Sequence, residues 1–173
     1  SILANFNNVS KYYIVDLDWM LNFSRAYLER VLDRHLFEKL VFVPTSGYQN
    51  IEPNRKIDLV INIDSFQEME PLVATDYLDF IGKRASSFYC KNAIGKYSPE
   101  SINLEVGNSE QHRSAMKMGL CTDIVDIFNT QELEKATKKY LEIFKPRGFF
   151  LQKHEPEYGQ YNFYHSALYS EVP

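Results

Sequence analysis

Short apolar runs alternate with helix-like stretches through the first half of this 173-residue chain, and this alternation narrows the possible folds more than any other feature. Strands are predicted over residues 12–17, 39–43, 57–63 and 86–91, and a polar loop covers residues 46–56. The strand runs are largely apolar, which is typical of strands buried on both faces. Strand–helix alternation favours right-handed crossovers and a parallel sheet. The sequence therefore predicts an α/β, Rossmann-like, mostly parallel sheet with flanking helices.

Two helices are predicted between these strands. The first covers residues 19–34, and its apolar face is formed by Met20, Phe23, Tyr27 and Val31, with Leu28 and Leu32 beside them. An apolar face of this kind normally packs on the core. The second covers residues 76–83 after Pro71 and Thr75, with Tyr77, Leu78 and Ile81 as its buried side.

The last third of the chain has a different pattern. A helix is predicted over residues 130–144, where Asn129 and Glu132 resemble a capping box and Pro146 and Gly148 end the helix. Two strands, residues 149–153 and 161–169, are expected to form an antiparallel hairpin around a turn at 156–159. Residues 98–128 carry no clear pattern. We expect one domain over residues 1–173, of which 98–173 is the less regular part.

Composition limits the possible partners. The net charge is −4 and the basic residues are scattered, which argues against nucleic acid as a partner. No apolar stretch is long enough to span a bilayer, and residues 1–10 lack the features of a signal peptide. The two cysteines, Cys90 and Cys121, form no CxxC pair. We therefore expect a cytoplasmic protein with reduced thiols and no membrane partner.

Polar residues stand at the carboxyl ends of the predicted strands, where open α/β sheets bind ligands. The first strand ends at Asp16, which could bind ribose hydroxyls or serve as a surface acid or helix cap, and Asp18 competes with it for these roles. The third strand runs into a segment that provides Asn62, Asp64, Ser65 and Glu68, and the fourth ends at Asn92. Asp64 and Ser65 could equally cap a turn, with Phe66 and Met69 in the core.

The histidines show no metal-binding spacing, so no metal site is predicted. His112, beside Arg113 in a polar segment, is the histidine most suited to catalysis. The cluster at residues 154–157 could bind a divalent ion, but a solvated turn is the favoured interpretation.

Two segments resemble the putative sugar O-methyltransferases, a family of class I enzymes that use S-adenosylmethionine (SAM). Residues 11–20, Lys-Tyr-Tyr-Ile-Val-Asp-Leu-Asp-Trp-Met, with Tyr27-Leu28 after them, are similar to that family's second strand and the next helix. Residues 61–69, Ile-Asn-Ile-Asp-Ser-Phe-Gln-Glu-Met, are similar to its Asn-x-x-Ser-Phe-x-Glu-Met segment, and 77–78 and 88–92 match its next helix and strand. The resemblance covers about residues 1–97.

The resemblance implies SAM as cofactor and a sugar or glycan hydroxyl as methyl acceptor. Asp16 matches the acid on the cofactor ribose, and Asn62 and Ile63 lie on the adenine side of its pocket. Asp64, Ser65 and Asn92 are the candidates for substrate binding. Glu68 and His112 are the candidates for the base that a weakly nucleophilic hydroxyl needs.

One departure from the family limits what this chain is expected to do. The family's first strand and its Glu-x-Gly-x-Gly loop are missing, and residues 1–10 match the end of its first helix. A strand lost from mid-sheet exposes backbone donors and acceptors, so we expect a fragment that binds SAM poorly. Two alternatives stay open: a non-catalytic Rossmann-like module, and an NAD-dependent enzyme, since an acid after the second strand suits that cofactor too.

Overall fold

The computed structural model describes residues 8–97, 110–156 and 163–171, and the chain divides into two compact units. The N-terminal unit is residues 1–54 and the C-terminal unit is residues 55–173. The prediction of a single domain over the whole chain stays a prediction. Within the described residues, no helix has the length and apolar character that a membrane crossing requires.

The N-terminal unit is a two-stranded parallel sheet with helices in its connection. Its elements are β1 (Tyr12–Asp16), α1 (Asp18–Val31), α2 (Arg34–Phe37) and β2 (Leu40–Pro44). β1 and β2 pair from Tyr12 opposite Leu40 to Asp16 opposite Pro44. A 3-10 turn, Tyr48–Asn50, follows β2.

The predicted apolar face of α1 is wrong. Phe23, Tyr27 and Val31 are 69%, 64% and 53% exposed, whereas Leu21 is 6% exposed. At 100° per residue, Leu21, Leu28 and Leu32 share a face that lies about 120° around the helix from that stripe. Leu28 and Leu32 are half-buried, as is Met20. The helix has two neighbouring apolar faces, so periodicity alone could not tell which face packs on the sheet.

The C-terminal unit contains a four-stranded mixed sheet. Its elements are β3 (Ile57–Ile63), α3 (Pro71–Arg84), β4 (Ala85–Ala93), α4 (Glu110–Ala115), α5 (Thr130–Ile143), β5 (Phe149–Pro156) and β6 (Tyr164–Glu171). The strand order is β3-β4-β6-β5. β3 and β4 are parallel, and β5 and β6 form an antiparallel hairpin joined to β4 through β6. The predicted fold class, an α/β fold with a mostly parallel sheet and a C-terminal hairpin, is confirmed.

Several element boundaries differ from the sequence-based ones for physical reasons. α3 begins at Pro71 rather than near residue 76, because proline at the first helical position needs no N–H partner and has its φ preset. The hairpin strand β5 extends to Pro156. The predicted turn at 156–159 lies beyond the described residues from position 157 on, as do residues 161–162. The cap of α5 is confirmed, since Asn129 Oδ1 accepts hydrogen bonds from the N–H groups of Gln131 and Glu132 at 3.1 and 3.3 Å.

One aromatic cluster forms the core of the C-terminal unit. Phe66 is 2% exposed and its ring stacks on Phe144 at a centroid distance of 6.0 Å with 13° between planes. Phe66 also contacts Phe88 at 6.2 Å, and Phe88 stacks on Tyr169. Since Phe66 belongs to the segment after β3, this packing fixes that segment against the sheet and α5.

Candidate functional site

The carboxyl ends of β3 and β4 lie side by side because the two strands are parallel. Asp64 continues the pairing, since its N–H donates to Lys91 O at 2.9 Å. Asp64 has a φ of 61°, in the left-handed region that residues other than glycine rarely adopt. The chain then turns through a 3-10 segment, Ser65–Gln67, whose Phe66 is buried. Polar side chains of this turn are thereby held at the sheet edge where α/β proteins bind ligands.

Two asparagines connect the strand ends to that turn. Asn92 is fully buried, and its Nδ2 donates to Asn62 Oδ1 at 3.1 Å. Asn62, 7% exposed, in turn donates from Nδ2 to the hydroxyl oxygen of Ser65. Asn92 Oδ1 is buried and has no hydrogen-bond partner among the residues that the structure describes, an arrangement that costs stability and often accompanies a functional role. Of the predicted site residues, the structure brings Asn62, Ser65 and Asn92 together.

The other predicted residues of this unit lie on the surface of the same segment or on α4. Ile63 is 55% exposed, and Asp64, Ser65 and Glu68 are exposed as well. Glu68 N–H donates to Ser65 O at 3.2 Å, so its carboxylate extends from the end of the turn. His112 is half-buried on α4. The chain after α4 reaches the turn at Gly119, whose N–H donates to Met69 O at 2.7 Å.

Asp16 is the last residue of β1 in the N-terminal unit. Its Oδ1 accepts a hydrogen bond from Leu17 N–H at 2.8 Å. α1 has no side-chain cap, so neither Asp16 nor Asp18 serves as the helix cap considered from the sequence. Within the described part of the chain, Asp16 Oδ2 has no hydrogen-bond partner, which leaves an acceptor at the carboxyl end of this strand.

No sequence pattern indicates a role for Gln67 or Lys96. Gln67 Nε2 donates to Ala93 O, which ties the turn to the end of β4. Its Oε1 is buried and has no partner in the described part of the chain. Lys96 is half-buried, and its Nζ contacts Gln67 O at 3.5 Å. Burial lowers the pKa of Lys96, against the opposing field of Glu68. Lys96 belongs to no motif, and only the fold brings it to Gln67.

The two cysteines are poorly suited to nucleophilic chemistry. Both are free and buried, as Cys90 and Cys121 are 0% and 2% exposed. Burial raises the pKa of each thiol to about 12. A thiol that stays protonated is a poor nucleophile.

A histidine pair lies on the hairpin. His154 Nε2 and His165 Nδ1 are 2.7 Å apart, and the ring planes are only 11° from parallel. The centroid separation of 5.0 Å is close to this distance plus one ring radius at each end, so the rings meet edge to edge. This is the geometry of an N–H···N hydrogen bond, which requires one neutral ring to accept. Within the described residues, no three His, Cys, Asp or Glu side chains come together as a metal site.

We expect this pair to make stability depend on pH. Burial lowers the pKa of His154 below its ordinary value, and a second proton on the pair would remove the hydrogen bond. The unfolded chain binds both protons as pH falls through about 6.5. Stability is therefore present above that pH and lost below it, by on the order of 1 kcal/mol, the value of one hydrogen bond.

Urea denaturation at pH 7.5 and pH 5.5 tests this prediction on the wild type and on His154→Ala. The variant should be less stable at pH 7.5 and show a smaller loss at pH 5.5. Equal pH-dependent losses in the two proteins would show that the pair does not contribute.

Comparison with known proteins gives a clear result for the fold alone. No protein-family model and no curated protein matches the sequence. Among solved structures, the methyltransferase domain of bacterial CtHen1-C matches 99% of this chain and 83% of its own, with a TM-score of 0.59 and 10% identity. The glycopeptide N-methyltransferase MtfA, solved with SAM, matches 93% of this chain and 72% of its own, with a TM-score of 0.54 and 10% identity. PigF, solved with SAH, matches 99% of this chain and 51% of its own, with a TM-score of 0.53 and 16% identity.

These likenesses show that the chain has the fold of SAM-dependent methyltransferase domains. The fold expected from the resemblance in residues 11–20 and 61–69 is thereby confirmed.

Proposed function

We propose that this chain is part of a SAM-dependent methyltransferase that acts on a sugar or glycan hydroxyl, with no nucleic acid as partner. The observation that carries the proposal is the polar carboxyl edge of β3 and β4. There Asn62, Ser65 and Asn92 form one hydrogen-bonded set in the segment that resembles the sugar O-methyltransferases. The fold alone does not define an acceptor, so the sugar rests on that local resemblance.

Each unit, taken by itself, has side chains that suit a part of the proposed cofactor. In the N-terminal unit, Asp16 at the end of β1 has a carboxylate oxygen without a partner among the described residues, the kind of acceptor that ribose hydroxyls require. Asn62 and the exposed side chain of Ile63 are suited to the adenine side, one through its amide and the other through apolar contact. When bound, SAM supplies the methyl group. The fold by itself does not assign the binding of SAM to any of these residues.

The protein's own contribution to the reaction is to position and deprotonate the acceptor. Asp64 and Ser65 are exposed on the turn and can bind substrate hydroxyls. Asn92 is fully buried, so we assign it the role of holding Asn62 and, through Asn62, Ser65. Glu68, exposed at the end of the turn, and His112 on α4 are the proposed bases.

The free edge of β3 supports a further strand in the proposed enzyme. Among the described strands, β3 pairs only with β4, so no strand lies along its other edge. Two of its apolar side chains, Leu59 and Ile63, are 46% and 55% exposed. Solvent-facing edges are normally protected by charged side chains, especially lysine, by proline or by a bulge, as on β5, which has a bulge after Leu151. β3 has no lysine, proline or bulge, and its one charged residue is Asp58. We propose that a strand bearing the glycine-rich loop pairs with this edge.

Calorimetry with SAM and SAH on this chain, and on a chain extended upstream through that strand, tests the proposal. The longer chain should bind both ligands and this chain should bind neither. In the longer chain, Asp16→Ala should weaken binding about 10- to 100-fold, the value of a charge-assisted hydrogen bond.

Asp18→Ala is the matched control, because Asp18 is an exposed acid two residues away and should change affinity less than twofold. If the longer chain binds neither SAM nor SAH, the methyltransferase proposal is wrong and the non-catalytic module takes its place. Binding of NAD in place of SAM would establish the dehydrogenase alternative.

A further inference from the structure

Lys96 is held in an unusual electrostatic position. Its backbone is fixed on both sides, since its N–H donates to Asp123 O at 2.8 Å and its carbonyl oxygen accepts from Val125 N–H at 2.7 Å. Its side chain returns towards the turn after β3, where Nζ contacts Gln67 O at 3.5 Å. The ammonium therefore lies at the carboxyl edge of β3 and β4.

The charge of Lys96 is not matched by a carboxylate. Several lysines are ion-paired, including Lys11 with Glu52 at 2.9 Å and Lys153 with Glu155 at 2.8 Å, and these are well exposed. Lys96 is half-buried, and within the described residues no carboxylate oxygen lies within 4.0 Å of its Nζ. Its one contact, at 3.5 Å, is with a neutral carbonyl oxygen. A partly desolvated cation without a partner costs free energy.

An ammonium has three donors, and the described residues use at most one of those of Lys96. The remaining donors are available to an anion that enters this edge. A lysine ammonium at such a place is suited to phosphate, which it binds as a point charge. The lowered pKa of Lys96 agrees with a cation that lacks its counter-charge until such an anion arrives.

We propose that Lys96 binds a phosphate group carried by the methyl acceptor, so that the substrate is a phosphorylated hydroxyl compound. This inference rests on the proposed function for the identity of the site as an acceptor site. Glu68, whose field reaches Lys96, limits the bound anion to the side of the ammonium away from that carboxylate. Lys96 is a specificity-determining residue in this arrangement.

Calorimetric titration of the 173-residue chain with inorganic phosphate tests the proposal. Lys96→Met should weaken phosphate binding at least tenfold, and Lys96→Arg, which keeps the charge, should retain most of it. Lys138→Met is the matched control, because Lys138 is an exposed lysine on α5 and its loss changes the net charge equally. We expect that control to stay within twofold of the wild type.

A second measurement separates binding from a structural role. Removing an unmatched, half-buried charge should leave the urea midpoint of Lys96→Met equal to or above that of the wild type. Unchanged phosphate binding in Lys96→Met, equal losses in Lys96→Met and Lys138→Met, or a lower urea midpoint would each overturn the proposal. So would Lys96-dependent binding of a short oligoribonucleotide with no binding of phosphate. Phosphate binding is measured without SAM, so a failure of the proposed methyltransferase function appears separately, as loss of SAM and SAH binding in the longer chain.

Discussion

Gly119→Ala is expected to destabilise the protein by about 3–4 kcal/mol, the sum of left-handed backbone strain and overpacking. Gly119 has a φ of +83°, where a side chain is strained whatever the space. A Cβ there would also lie 2.9 Å from the Cα and 3.1 Å from the carbonyl oxygen of Gln67, and closer still to Gln67 Oε1. Because two of these atoms are backbone, the clash cannot be relieved by a side-chain rotation.

Gly148→Ala separates the two causes. Gly148 has nearly the same φ, +82°, but a Cβ there would meet nothing within 4 Å. It should therefore cost only the backbone strain, about 1–2 kcal/mol. Urea denaturation followed by circular dichroism measures both variants, and equal losses would show that the contact with Gln67 is not tight.

The same substitution should also affect the candidate site. Gln67 ties the turn to Ala93 O and provides the carbonyl oxygen that Lys96 contacts. If Gly119→Ala displaces Gln67, phosphate affinity should fall with stability, whereas Gly148→Ala should leave phosphate affinity unchanged. The close approach of Gly119 is thus required for the edge as well as for the fold.

Local pattern was sufficient to predict most of the strands and the C-terminal helix. β3 is predicted with its observed bounds because a mostly apolar run of seven residues lies between a polar loop and a polar turn. The cap at Asn129 follows a local sequence rule. These features depend on residues that are neighbours in the sequence, so the sequence alone is sufficient to predict them.

The sequence could not predict features that depend on distant contacts. The histidine pair joins residues 11 positions apart across a hairpin, whereas the sequence pattern places His154 in a solvated turn. Lys96 and Gln67 are 29 positions apart in the sequence, and they come into contact because the fold brings both to the edge of β3 and β4. Asn62, Ser65 and Asn92 were predicted as separate polar strand ends, but their hydrogen bonds and the burial of Asn92 follow from strand register.

Phe66 and Phe23 provide the sharpest test of this difference between local pattern and packing. For Phe66 the sequence left both a core position and a functional turn open, and the structure makes its ring part of the core while its turn forms the candidate site. Phe23 was placed on the apolar face of its helix, and the structure leaves it 69% exposed. Phe66→Ala should cost about 3–5 kcal/mol, typical of a buried phenylalanine, because its ring contacts Phe88 and Phe144.

Phe23→Ala removes the same atoms from a largely exposed position and should cost less than about 0.5 kcal/mol. Urea denaturation of the two variants under one set of conditions measures the contrast. Phe66→Ala should also lower phosphate affinity, since the buried ring fixes the turn on which Gln67 stands, and Phe23→Ala should not. If Phe23→Ala lowered the free energy of unfolding as much as Phe66→Ala, the predicted apolar face of α1 would be covered in solution, as the sequence alone indicates.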